Sequence, residues 1–200
     1  MNGIISSAMR EKGIDYKLNF GAPLTTLRKI AKDYAPNSEL AEELWNENTR
    51  ELKILATLIQ PPATFTNTLT WAKEINNLEL AEQAAMNLFS RTSDASDNAS
   101  ILIQSKNLYE QICGFLIYAR LFSNNHTLEN KETYFNAVSN AFDSESFLLK
   151  NTALTSLKKL GRQSAENAKF ILGYYNFRSK SDIEKRAIYD DLKFEFDYYS

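Results

Sequence analysis

From Ser38 the chain reads SELAEELWNENTRELKILATLI, two apolar stripes of helical period set back to back and separated only by NENTR. Leu40, Leu44 and Trp45 fall on one stripe, and Leu52, Leu55, Ala56 and Ile59 on the next, at the spacing of one buried helix face. Pro61-Pro62 stops the second helix, because a proline ring removes the backbone donor and clashes with the preceding turn. Two short helices cannot bury both apolar faces alone, so the pair must stack on a neighbour. The pattern repeats to the end of the chain. Spacing and breaks predict helices near residues 3-12, 23-34, 38-47, 50-60, 63-75, 78-91, 96-104, 107-122, 129-142, 145-160, 164-177 and 182-197. No strict alternation survives beyond a few residues, and the one Asn-Gly pair, Asn2-Gly3, is not set between two strand-like runs as a hairpin turn would be. The expectation is an all-α chain forming a curved α-solenoid of about six antiparallel HEAT-like helix pairs, a single domain over residues 1-200. An irregular all-α domain is the less favoured alternative.

Several chemistries are excluded by what is scarce. Cys113 is the only cysteine and His126 the only histidine, which rules out an intrachain disulfide, a four-cysteine zinc site and a histidine metal cluster. Cys113, inside QICGFLIYARLF, is expected to be a small buried hydrophobe, and His126, inside SNNHTLEN, an exposed loop residue. No glycine-rich phosphate loop, nucleophile elbow or metal motif is present, so no cofactor is expected. The opening MNGIISSAMREKG lacks the apolar run of a signal peptide, and no stretch approaches the roughly 18 apolar residues of a spanning helix. Cytoplasmic residence is the default expectation.

A formal net charge of -2 carries no global nucleic-acid signature, so a polyanion would have to meet a local patch. One such strip exists. Lys150, Lys158, Lys159, Arg162, Lys169, Arg178 and Lys180 stand against the single acid Glu166, whereas Asp182, Glu184, Asp190, Asp191, Glu195 and Asp197 follow from Ser181 on. The strip is of the kind that neutralises phosphates. Its bland reading is a solvated helix end, where cations favour the helix dipole anyway. The acids and aromatics of the tail read as the polar outer face that a terminal repeat needs.

At NFGAPLTTLRKIAK followed by LAEELWNENTRELKILATLI the chain resembles the HEAT-like DNA alkylation repair family, the AlkD-like proteins. The elements that carry the resemblance are Phe20-Gly21, Pro23, Leu27-Arg28, Leu44-Trp45 and Arg50-Glu51, and it continues more weakly over most of residues 1-175. It implies a concave groove holding duplex DNA and, in active members, hydrolytic release of 3- or 7-alkylated purines. Such bases are already good leaving groups, so the site needs mainly a carboxylate to stabilise cationic character at the sugar, with aromatic faces and an arginine.

Carried over position by position, the resemblance places the family's catalytic aspartate on Glu82, a carboxylate one methylene longer. The tryptophan four residues before it becomes Leu78, the arginine becomes Gln111, and the second groove tryptophan becomes Ser156. No arginine lies between Arg91 and Arg120, and no tryptophan follows Trp71, which is expected to pack between helices. The combined reading is a HEAT-like protein that binds duplex DNA, alkylated or not, through Lys150, Lys158, Lys159, Arg162 and Lys169, with DNA glycosylase activity weak or lost and Glu82 the one candidate catalytic residue. The alternative is a non-catalytic scaffold for a protein partner.

Overall fold

The computed structural model describes residues 20-176 and 183-199; the helix expected at 3-12, together with Arg178, Lys180 and Asp182, lies outside them. Among the described residues there are eleven α-helices and no strand. They are α1 (Leu24–Tyr34), α2 (Ser38–Asn46), α3 (Arg50–Ile59), α4 (Thr68–Lys73), α5 (Leu78–Asn87), α6 (Ala95–Leu102), α7 (Leu108–Ser123), α8 (Lys131–Asp143), α9 (Phe147–Gly161), α10 (Ala165–Asn176) and α11 (Ile183–Tyr199). Five of the eleven helices start where a polar side chain satisfies their orphan amides. The N-cap side chains of Asn37, Asn77, Asn107, Asn130 and Ser146 accept from the first-turn N–H groups of α2, α5, α7, α8 and α9.

Two expected helices are shorter than their periodicity. The segment 63-75 opens instead with a 3-10 turn, Pro62–Thr64, and Phe65 is buried before α4 begins at Thr68. The segment 78-91 breaks at Leu88, whose φ of -132 and ψ of -66 leave the helical region, and a 3-10 turn follows at Phe89–Arg91. The break lets two consecutive large side chains, Leu88 and Phe89, both be fully buried.

The chain divides into two compact units, residues 1-95 and 96-200. In the first, α3 is the hub and packs on α1, α2 and α5. It is buried over most of its surface, charged residues included. Trp45 and Trp71 stack with ring centroids 4.1 Å apart, and Phe65 meets Trp71 edge-on at 4.8 Å. Trp71 therefore packs between helices, as expected. The Lys53 ammonium lies 4.4 Å from the centroid of Trp45 and donates to the Trp45 carbonyl at 2.6 Å and to Glu74 at 3.0 Å.

A buried charge cluster ties this unit together. Arg50 forks onto Glu79, with Nε to Oε2 at 2.8 Å and Nη2 to Oε1 at 2.6 Å, and its Nη1 donates to Glu51 and to the Ala22 carbonyl at 3.0 Å. Glu51 in turn accepts from the backbone N–H groups of Phe20 and Ala22. The turn it holds passes through Gly21 at φ 70, a conformation that a side chain would strain. Burial alone would lower the Arg50 pKa, but its hydrogen bonds and charge pairing with Glu79 and Glu51 hold it above the ordinary value.

In the second unit α9 is the hub and packs on α7, α8, α10 and α11. Phe115, Tyr118, Phe122, Tyr134 and Phe135 form its aromatic core. Cys113 is wholly buried and burial pushes its thiol pKa well up, so it is the inert hydrophobe expected; His126 is exposed. The last helix docks through Leu192 and Phe196, one turn apart and both buried. The Phe196 ring occupies the space above Gly161, where an added Cβ would stand 2.2 Å from two ring carbons. Gly161→Ala should therefore cost about 1–3 kcal/mol by overpacking, read as a lower urea midpoint; an unchanged midpoint would show that α11 is not seated as described. No helix among the described residues is long and apolar enough to cross a membrane.

Candidate nucleic-acid interface

The cations of α9 are spaced to form a row. Lys150, Lys158 and Arg162 are eight and four residues apart, which places them near one face of the helix. That face meets α11. Lys150 Nζ donates to Glu184 at 2.6 Å and Lys158 Nζ to Asp191 at 2.8 Å; Glu195 pairs with Arg162 and stands 3.9 Å from Lys158. The partners advance together along both helices, so α9 and α11 run in the same direction. The acids expected on the outer face of a terminal repeat thus include three that pair with cations of α9. Each such pair, with one or both partners open to solvent, contributes about 0–1 kcal/mol, so the contacts are exchangeable.

Lys159 is half-buried on α9 and Lys169 is exposed on α10, and neither has an ion-pair partner among the described residues. The five candidate phosphate ligands therefore split into three already neutralised and two that are not.

The positions inherited through the family resemblance lie in different settings. Glu82 is exposed on the second turn of α5 in the first unit, between the buried Ala81 and Gln83, one turn after the half-buried Leu78. Gln111 is half-buried on the first turn of α7 in the second unit, its amide donating to the Ser105 carbonyl at 2.5 Å. It borders an open polar cavity of about 550 Å³ shared with Gln104, Glu132, Asn136 and Asn140. Ser156 is fully buried and bonded to the Tyr134 hydroxyl at 2.7 Å, so that position serves the core. Among the described residues no group of three or more His, Cys, Asp or Glu side chains could hold a metal.

Sequence reasoning passed over one feature. Phe170 on α10 is half-exposed, borders a cavity of about 190 Å³, and has the Lys131 ammonium 5.9 Å from its ring centroid. The available signal was the doubled pattern Lys169-Phe170 and Tyr174-Tyr175 in α10, in which one aromatic of each helical turn falls beside the buried row of Ile171 and Tyr175.

An all-helical chain with one helix hub in each unit, no metal cluster among its described residues and a basic helix face has the outline of a helical-repeat protein. The sequence model of the DNA alkylation repair enzyme family matches residues 6–176, and the chain belongs to that family. Its fold is also similar to a solved structure from a family of proteins related to the HEAT-like repeat DNA glycosylases with affinity for branched DNA structures. That match has a TM-score of 0.72 at 17% identity and covers 88% of this chain and 77% of the other. Among curated proteins none matches the chain.

Proposed function

We propose that this chain binds duplex DNA through its backbone and that its capacity to excise alkylated purines is weak or lost. The observation that carries the binding is the run Lys150, Lys158, Lys159 and Arg162 on α9, continued by Lys169 on α10, in a chain of the DNA alkylation repair family. Such contacts position a protein without reading sequence. The relative's affinity for branched DNA makes a forked or junction DNA the second ligand to test.

The chemical half rests on what the positions inherited through the family resemblance lack. A cationic purine departs readily once charge at the sugar is stabilised by a carboxylate and the base is held against an aromatic face. Glu82 supplies a carboxylate, but Leu78 offers no aromatic face, Gln111 no charge, and Ser156 is in the core. Purified protein is expected to release 7-methylguanine from methylated duplex DNA at the spontaneous rate, with Glu82→Gln indistinguishable from it. Release well above background that Glu82→Gln lowers by about 10² to 10³ would overturn this and make Glu82 catalytic. The scaffold reading draws on the acids that occupy the α9 row; absence of binding to every DNA tested would favour it.

A further inference from the structure

The geometry points to a stacking site for a single unpaired nucleobase at Phe170, served by the cations Lys131 and Lys169; the inference rests on the DNA-binding reading above. Phe170 is held from below, edge-on against Phe135 at 5.2 Å and tilted 27° to Tyr174 at 6.2 Å, yet half of it remains open. A lone exposed aromatic means little. Here three further observations coincide. The ring borders a cavity of about 190 Å³, below the roughly 300 Å³ of a drug-sized pocket and suited to one planar base. The polar groups at its margin are fixed rather than free to collapse into it: Gln163 Nε2 donates to the Phe122 and His126 carbonyls, both at 3.0 Å, and Asn167 Nδ2 donates to the Leu160 carbonyl and to Gln163. Two cations flank the ring, Lys131 above it and Lys169 as its chain neighbour, and both are exposed.

An aromatic face with adjacent cations is the chemistry of single-stranded nucleic-acid binding. The ring stacks on a base of any identity, and the ammonium groups meet the phosphates on either side of it. Glu166, which also lines the cavity, disfavours a phosphate inside it, so the base enters and the backbone stays outside. A regular duplex offers no such base. The site would therefore add affinity only where DNA is unpaired, at a fork, bulge or junction.

The test compares a duplex with a fork carrying 2-aminopurine as its unpaired base. The wild-type protein is expected to bind the fork more tightly and to quench the 2-aminopurine emission. Phe170→Ala should lose the quenching and the fork preference, by roughly five- to a hundredfold in fork affinity, while duplex affinity is unchanged. Phe170→Tyr should keep both, which separates loss of stacking from loss of fold. Fork binding with full quenching by Phe170→Ala overturns the site. Wild-type protein that binds duplex and fork equally, without quenching, overturns the site and leaves the duplex reading standing; no binding to either DNA overturns both.

Discussion

Conversion of Glu184, Asp191 and Glu195 to their amides is expected to strengthen duplex binding and to steepen its salt dependence. In the native chain these acids hold Lys150, Lys158 and Arg162, so of the five candidate phosphate ligands Lys159 and Lys169 are the two that can meet DNA without first breaking an ion pair. With about −0.9 in slope per phosphate contact, two cations give a slope of log affinity against log salt near about −2, and five give about −4.5. The same relation makes the gain about a hundredfold or more near 0.1 M salt. Anisotropy titrations of a fluorescent duplex at several salt concentrations read both quantities. An unchanged slope would show that the α9 row does not meet DNA. The reverse substitution, Lys158→Glu, is a poorer test, because it sets a carboxylate against Asp191 and Glu195 and unseats α11; Lys159→Glu with Lys169→Glu is cleaner.

The largest expected loss of stability belongs to Arg50→Ala. Removal of one partner from a buried ion pair costs about 3–5 kcal/mol, because the other charge stays buried and uncompensated. Here two carboxylates are stranded, Glu51 at 3% exposure and the partly buried Glu79, and the Ala22 carbonyl loses its donor. Urea unfolding should show a loss of that size in Arg50→Ala and a change within about 0.5 kcal/mol in the exposed control Lys169→Ala. A loss below about 1 kcal/mol would mean that water relieves the cluster once the guanidinium is gone.

The helices were largely legible because their ends are written locally, in Asn37, Asn77, Asn107, Asn130 and Ser146 and in the proline pair. Where the reading overran, at 63-75 and 78-91, burial of Phe65, Leu88 and Phe89 overrode the helical period, and such tertiary demands leave no local mark. Several residues that carry the family resemblance proved to be structural: Arg50 and Glu51 grip the turn between Phe20 and Ala22, and Trp45 on α2 is buried against Trp71. They specify the fold. The candidate interface was legible only as composition. The charge asymmetry after Lys150 was visible, but Lys158 and Asp191 are 33 residues apart, and no periodicity says that they meet. Ser156 was equally opaque, since a serine on an amphipathic helix gives no sign of facing inward until Tyr134 is found against it.

The tryptophan stack has an experimental use. The chain contains two tryptophans, and both are in the first unit, buried and parallel at 4.1 Å. Indoles that close and that ordered form a coupled pair of chromophores, so the long-wavelength indole edge of near-ultraviolet dichroism, beyond the tyrosine bands, and red-edge-excited emission would report the first unit alone. The second unit is invisible to indole excitation and carries most of the tyrosines. Far-ultraviolet dichroism sees both. Comparing the two optical signals through a single denaturation therefore reveals whether residues 1-95 and 96-200 melt as one cooperative body or in sequence, without a label or a substitution.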